Sequence, residues 1–165
     1  MRQLIVAGGD AVLVDDEDFD WANQWKWCKG GKGYAVRFTP QKETIFLHIE
    51  IMKRHGLFVA GLEGDHKNRN LFDCQKTNLR PATRSQQVAN TCKRKGTRSK
   101  YKGVVPKGRK FEAYYVHNGF RMNLGTFDSE ESAATARDKA VKRIFGEFAV
   151  LNFPEELTNA EIRVS

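Results

Sequence analysis

No stretch of this 165-residue sequence approaches the roughly 18 consecutive apolar residues that a membrane-crossing helix needs. The start, MRQLIVAGGD, is too short and too soon acidic for a secretory signal. Both absences predict a soluble, cytoplasmic chain with no membrane partner. Cysteine is equally sparse: Cys28, Cys74 and Cys92 are odd in number, widely separated and form no C-x-x-C pair. Neither a disulfide framework nor a cysteine metal knuckle is therefore expected, and the thiols should be free. Apolar residues make up 40% of the chain, a low share that suits small layered modules better than one large globule. Acidic residues are missing from one part of the chain in particular. Residues 61–125 carry 15 Lys and Arg against 4 Asp and Glu, whereas residues 1–60 balance at 8 and 8, and residues 126–165 carry 5 against 8. A positive band this concentrated marks a polyanion site, and nucleic acid is the commonest polyanion available to a cytoplasmic protein.

What is present divides the chain in two. QLIVAGGDAVLV, residues 3–14, reads as two short strands around a Gly-Gly-Asp turn, followed by an acidic turn, DDEDFD. WANQWKWCKGGKGYAVRF supplies an aromatic segment, a Gly/Lys turn and another strand, with Trp21, Trp25 and Trp27 as packing residues. ETIFLHIEIMKRHG is a strand, or a strand running into a short helix, that stops at Gly56. GDHKNRNLFDCQKTNLRP then reads as a turn-rich loop. A helix should follow from Thr83, with Gln86 completing a capping box, and run to Gly96. KRKGTRSKYK, residues 93–102, is a basic linker or arm. Beyond it, three strand-length segments are separated by KGRK and by Asn118-Gly119, a two-residue hairpin signal. An amphipathic helix closes the pattern, with Asp128 as N-cap, Glu131 three residues on, Gly146 as the stop, and Ala133, Ala136, Ala140 and Ile144 at helical spacing toward the sheet.

Tyr101 to Pro154, with its LGTF tetrapeptide, Ser/Glu/Ala-rich helix start and closing LNFP, closely resembles the AP2 DNA-binding domain of plant transcription factors and of phage and bacterial homing endonucleases. LHIEIM…GDHKNRNLFDCQKTNLRPATRSQQ resembles the HNH nuclease module of the same mobile-element proteins, and DDEDFDWANQWKW…GYAVRF is similar to the segment that precedes it. The resemblance implies an α+β fold: a ββα-metal nuclease module with its N-terminal strands in residues 1–92, a basic arm in 93–100, an AP2-type three-stranded antiparallel sheet packed on one helix in 101–154, and a tail in 155–165. The implied protein is phage-encoded and works in a bacterial host.

Hydrolysing a phosphodiester needs an activated water, charge on the phosphorus oxygens and a way for the 3′ oxygen to leave. The resemblance assigns His66 as the base, Asp65 as a metal ligand and Asn78 as the residue that braces the loop and orients the histidine. Its second metal ligand, an asparagine, falls at Gln87 here. Glutamine keeps the amide oxygen but adds a methylene, so the cation site should be weaker, and Asn90, three residues on along the same helical face, is the alternative ligand. Oxygen ligands and a nucleic-acid substrate point to Mg²⁺, with Mn²⁺ as a substitute. Arg84, at the helix start, is a candidate catalytic cation and Arg80 a phosphate contact. His48 lies among apolar neighbours and reads as structural first and catalytic second. For the AP2-like part, the sheet is expected to enter the major groove of double-stranded DNA through Lys102, Arg109, Lys110, Tyr114 and Arg121. Phe111, Ala113, Tyr115 and His117 should face the helix. The arm, through Lys93, Arg94, Lys95, Arg98 and Lys100, would track phosphates without reading sequence. Val105 and Asn123 stand where plant domains carry arginine and tryptophan, so the plant target sequence does not transfer. The expected protein is a monomer or weak dimer. Its rival is a non-cutting, sequence-specific DNA-binding protein descended from such a nuclease, and an RNA-directed role is disfavoured because no RNP-like aromatic motif occurs.

Overall fold

The computed structural model of the chain describes residues 1–154, and the tail expected at 155–165 lies outside the described residues. The chain divides into two compact units, Met1–Thr83 and Arg84–Ser165. Both mix helices with small antiparallel sheets. The division falls earlier than the boundary expected at residue 92, because the helix after Thr83 packs within the second unit.

In the first unit, β1 (Arg2–Ile5) and β2 (Ala11–Val14) form a hairpin. Gly8 and Gly9 make its turn with φ of 103° and 87°. The expected acidic turn is instead the helix α1 (Asp16–Ala22). Its acidic first turn suits the positive end of a helix, and Asp18, fully buried, accepts a hydrogen bond from Arg54 Nε at 2.9 Å and lies 2.7 Å from His55 Nε2. Those long-range partners, absent from any local pattern, hold the segment helical. β3 (Cys28–Lys29), β4 (Ala35–Phe38) and β5 (Thr44–Phe46) make an antiparallel sheet that runs directly into α2 (Leu47–Arg54). Leu47 and Ile51 recur at helical spacing and are buried with Met52 in a core that includes Val12, Val14 and Trp27. Gly56, φ 66°, follows the helix end. Trp21, Trp25 and Trp27 pack edge to face in sequence, with centroids 5.1 and 6.5 Å apart, as the packing reading expects. The segment read as a loop closes on itself as a two-stranded ladder, β6 (Glu63–His66) paired with β7 (Leu79–Ala82).

The second unit opens with α3 (Arg84–Asn90), six residues shorter than expected at its C-terminal end. Lys102 explains the stop: its ammonium donates to the carbonyls of Val88, Ala89 and Thr91 at 3.2, 2.7 and 2.5 Å, satisfying the end of the helix from a distant position. β8 (Val104–Lys107), β9 (Lys110–His117) and β10 (Phe120–Phe127) form the expected antiparallel sheet. Asn118 and Gly119 both take positive φ, 50° and 82°, as the hairpin signal requires. The helix α4 (Glu130–Phe145) is capped by Ser129, whose hydroxyl accepts from Ser132 N, so the cap lies one residue beyond Asp128. Its buried face is also turned from the expected one. Ala133 is buried as expected, but Ala134, Arg137, Asp138, Val141 and Phe145 complete that face while Ile144 is exposed. The alanine repeat misled because a paired Arg and Asp occupy interior positions that apolar periodicity does not count.

One glycine sets how tightly this sheet is laid. Gly103 has φ 73°, and a Cβ there would lie 2.4 Å from the Tyr114 carbonyl oxygen. Left-handed backbone costs an alanine about 1–2 kcal/mol before any clash. Gly103→Ala is therefore expected to destabilise the second unit by more than that, read as a lower thermal midpoint by circular dichroism.

Candidate active site and nucleic-acid interface

The β6–β7 ladder places Asp65 opposite Arg80 and His66 opposite Leu79. Neighbouring strand residues point to opposite faces, so Asp65 and His66 address different sides of the ladder. Asp65, 8% exposed, accepts a hydrogen bond from Arg80 Nε at 2.9 Å. Arg80, expected at a DNA phosphate, is thus a buried partner of the carboxylate.

His66 is 2% exposed. Its ring centroid lies 4.9 Å from that of His48 and 6.0 Å from that of Tyr34, and its Nε2 is 4.0 Å from Cys74 Sγ. His48 stacks on Tyr34 at 4.9 Å. It sits on α2 rather than on a strand, and meets the His66 ring from the helix side. Gly64 makes the approach of α2 possible: a Cβ there would meet His48 Cδ2 and Ile49 Cδ1 at 2.8 Å and Met52 Sδ at 2.9 Å. Tyr34 has no sequence signal beyond an aromatic ahead of a strand, and only the fold brings it to the histidines.

Burial pushes His66 down to about 4, against the raising influence of Asp65 and Asp73. Burial, helped by the charge His66 would carry, pushes His48 down to about 3. Both rings are therefore neutral at pH 7, and His66 is in the form that accepts a proton. Burial also raises the Cys74 thiol, so it stays protonated. The unfolded chain binds protons on these histidines near pH 6.5, before the folded chain does. Their contribution to stability is complete above about 6.5 and is lost as pH falls toward about 4 for His66 and 3 for His48. Urea titrations at pH 7.5, 5.5 and 4 should show a loss on the order of 3 kcal/mol from His66 alone.

Asn78 ties the connecting loop together. Its Oδ1 accepts from Asn68 N at 3.0 Å, and its Nδ2 donates to the Asp73 carbonyl at 2.7 Å. Both bonds fix the segment that follows His66. Arg84, Gln87 and Asn90 all lie on α3, in the second unit. Arg84 Nη1 is 3.5 Å from Gln87 Oε1, and Asn90 is buried. Among the described residues, no group of three or more His, Cys, Asp or Glu side chains is arranged to hold a metal ion.

The other expected DNA contacts divide by exposure. Arg94, Lys95, Arg98 and Arg109 are exposed, and Lys93 is half-buried. Lys100 pairs with Glu131 at 3.1 Å and Lys110 with Asp128 at 2.9 Å, both at the surface. Lys102 is turned onto the α3 carbonyls. Tyr114 and Arg121 lie together on the sheet face away from α4, the guanidinium 3.7 Å over the ring. The helix-facing set is as expected: Ala113 packs with Ala133 and Ala134, and Tyr115 and His117 meet Phe145 edge to face. Two charged residues of the open face, Lys107 and Glu112, were not singled out from the sequence. Strand alternation from Tyr114 reaches Glu112, and register reaches Lys107.

No family model matches the chain. It is 28% identical over 145 residues to an uncharacterized HNH endonuclease of Acanthamoeba polyphaga mimivirus, covering 87% of this chain and 75% of that protein. It is 42% identical over 74 residues to an AP2/ERF and B3 domain-containing transcription repressor of Arabidopsis thaliana, and 43% identical over 63 residues to an AP2/ERF and B3 domain-containing protein of Oryza sativa subsp. japonica. The chain spans only 20% and 17% of those two plant proteins. It is thus distantly similar to a viral HNH endonuclease along most of its length and to plant AP2/B3 proteins over part of it. No helix among the described residues is long and apolar enough to cross a membrane.

Proposed function

We propose that the chain is a metal-dependent endonuclease acting on duplex DNA, with the cutting chemistry on the β6–β7 ladder and the grip on DNA in the β8–β10 sheet. The observation that carries this reading is His66, buried and neutral on β6 directly after Asp65 and ahead of a segment braced by Asn78. The element order β6, β7, α3, and the three antiparallel strands followed by α4, support reading the chain as a ββα-metal module and an AP2 module. Similarity to the viral HNH endonuclease over most of the chain supports the same reading. Functionally, residues 1–92 would be the nuclease part, 93–100 the arm and 101–154 the site-selecting part.

The cation this reading calls for is Mg²⁺, which suits carboxylate and amide oxygens, keeps several waters and takes substrate phosphate oxygens. Asp65 is the ligand proposed for it, the amide is Gln87, at the position that the resemblance names, or Asn90, and Mn²⁺ could replace Mg²⁺. A bound ion would supply positive charge to the phosphate oxygens. Neutral His66 would accept the proton of the water that attacks phosphorus, the P–O3′ bond breaks, and the 3′ oxygen takes a proton from solvent as it leaves. Asn78 keeps the loop, and with it the imidazole, in place, and Arg84 adds a cation at the helix start.

Gln87→Asn tests the ligand assignment. Cleavage measured against Mg²⁺ concentration should saturate at several-fold lower metal in the variant. An unchanged metal dependence would remove Gln87 from the cation site. A second reading, a DNA-binding protein that no longer cuts, is favoured by Gln87 itself and by the Arg80 guanidinium on Asp65, a cation already beside the candidate ligand. That reading expects duplex binding without cleavage, and cleavage restored by Gln87→Asn.

A further inference from the structure

The open face of the β8–β10 sheet carries a carboxylate at its centre. Register sets Glu112 of β9 beside Val105 of β8 and Thr126 of β10, Tyr114 beside Asn123, and Val116 beside Arg121, with Lys107 on the same face at the end of β8. Although this face points away from α4, Glu112 is only 9% exposed. Two cations cover it: Lys107 Nζ lies 2.6 Å from one carboxylate oxygen and Arg121 Nη2 2.6 Å from the other. Arg121 also lies flat on Tyr114, 3.7 Å from the ring centroid. Both cations remain about half exposed at 59% and 47%, so solvent and DNA reach them while the carboxylate holds them. Hydrogen bonds and charge from Lys107 and Arg121 keep the Glu112 carboxyl below its ordinary range, so it stays ionised at neutral pH.

A DNA phosphate is an anion of the same kind as this carboxylate and seeks the same two donors. For a phosphate to take Lys107 or Arg121, it must displace Glu112, or bind a cation whose charge is already largely cancelled. A guanine edge asks less. A guanidinium has five N–H groups, and those of Arg121 that do not face Glu112 can meet O6 and N7 without breaking the ion pair. We infer that Glu112 is a specificity-determining residue that competes with DNA phosphates for Lys107 and Arg121 and so suppresses sequence-indifferent binding to duplex DNA. This rests on the reading of the sheet as the DNA-binding face. Glu112 contributes by positioning the two cations, and it makes no contact with DNA that the inference requires.

The test is fluorescence anisotropy of the full chain with a random-sequence 20-base-pair duplex between roughly 50 and 300 mM salt. Glu112→Gln, close to isosteric on an open face, should bind the random duplex about tenfold more tightly at the low-salt end. Its plot of log K against log salt should be steeper by about one to two units, one for each phosphate newly engaged. Lys107→Ala with Arg121→Ala in the Glu112→Gln background should abolish the gain. Unchanged or weaker binding by Glu112→Gln overturns the inference, as does a gain that survives Lys107→Ala with Arg121→Ala in that background. Absence of duplex binding by every variant at every salt overturns the DNA-binding reading as well.

Discussion

Asp138→Ala is expected to unfold the second unit well below the temperature at which the first unit melts. Asp138 is 1% exposed and accepts from the backbone N–H groups of Asn152 and Phe153 at 2.5 and 2.9 Å. It also accepts from the Asn152 amide at 3.1 Å and from Arg137 Nη1 at 2.9 Å. Asn152 in turn holds Lys102, accepting from its N–H at 2.8 Å and donating to its carbonyl at 3.1 Å. The LNFP signature is thus a latch that ties the end of the unit to the segment entering β8. Removing the carboxylate leaves a buried guanidinium uncompensated, a change that costs about 3–5 kcal/mol, and strands two backbone donors. Folded domains are stable by only about 5–15 kcal/mol. At about 4–8 °C per kcal/mol for a unit of this size, the midpoint should fall by at least about 15 °C. All three tryptophans lie in the first unit, so tryptophan fluorescence follows that unit while far-ultraviolet circular dichroism follows both. The variant should split the two signals. Coincident transitions, or an unshifted one, would show that the latch does not support the second unit.

His66→Ala should lower the cleavage rate by roughly 10²–10⁴-fold, the usual range for a lost general base. Tryptophan fluorescence of the folded variant should stay native-like, because the three tryptophans pack in the core around Trp27 and not on the histidine pair. A pH profile separates this role from a merely structural one. With the imidazole held near 4, wild-type activity should persist on the acid side well below pH 6.5. Added imidazole should restore part of the rate in His66→Ala and none in wild type. A variant that cuts at the wild-type rate would exclude His66 as the base.

What could be read from the sequence, and what could not, follows from where the determining interactions lie. The Asn118-Gly119 hairpin was legible because a type I′ turn is a local demand on two φ angles. ETIFLHIEIMKRHG left open a strand or a strand running into a short helix, and the second forms because Leu47 and Ile51 repeat on one face and a glycine follows. The β6 strand was missed because EGDH carries no aliphatic side chain. Its burial comes from the Leu79–Ala82 strand fifteen residues on and from α2 resting against Gly64. The helix in DDEDFD was hidden for a similar reason, since Asp18 is buried by Arg54 and His55, more than thirty residues away. At the candidate site, Asp65, His66 and Asn78 were named from a resemblance, and the surroundings that fix the protonation of His66 were not. His48 and Tyr34 reach the site only through the packing of α2 and the turn before β4. Arg80 and Lys102 read as DNA-facing because charge in a sequence reads as surface, and the acceptors that hold each inside its own unit come from the fold.

Supercoiled plasmid incubated with the purified chain in Mg²⁺ or Mn²⁺, and in EDTA, tests the nuclease reading most directly. Nicked or linear product that requires the metal and is lost in His66→Ala is the expected result. Plasmid that stays supercoiled with either metal, while the same protein retards duplex DNA in a gel, would contradict it and leave a DNA-binding protein that does not cut.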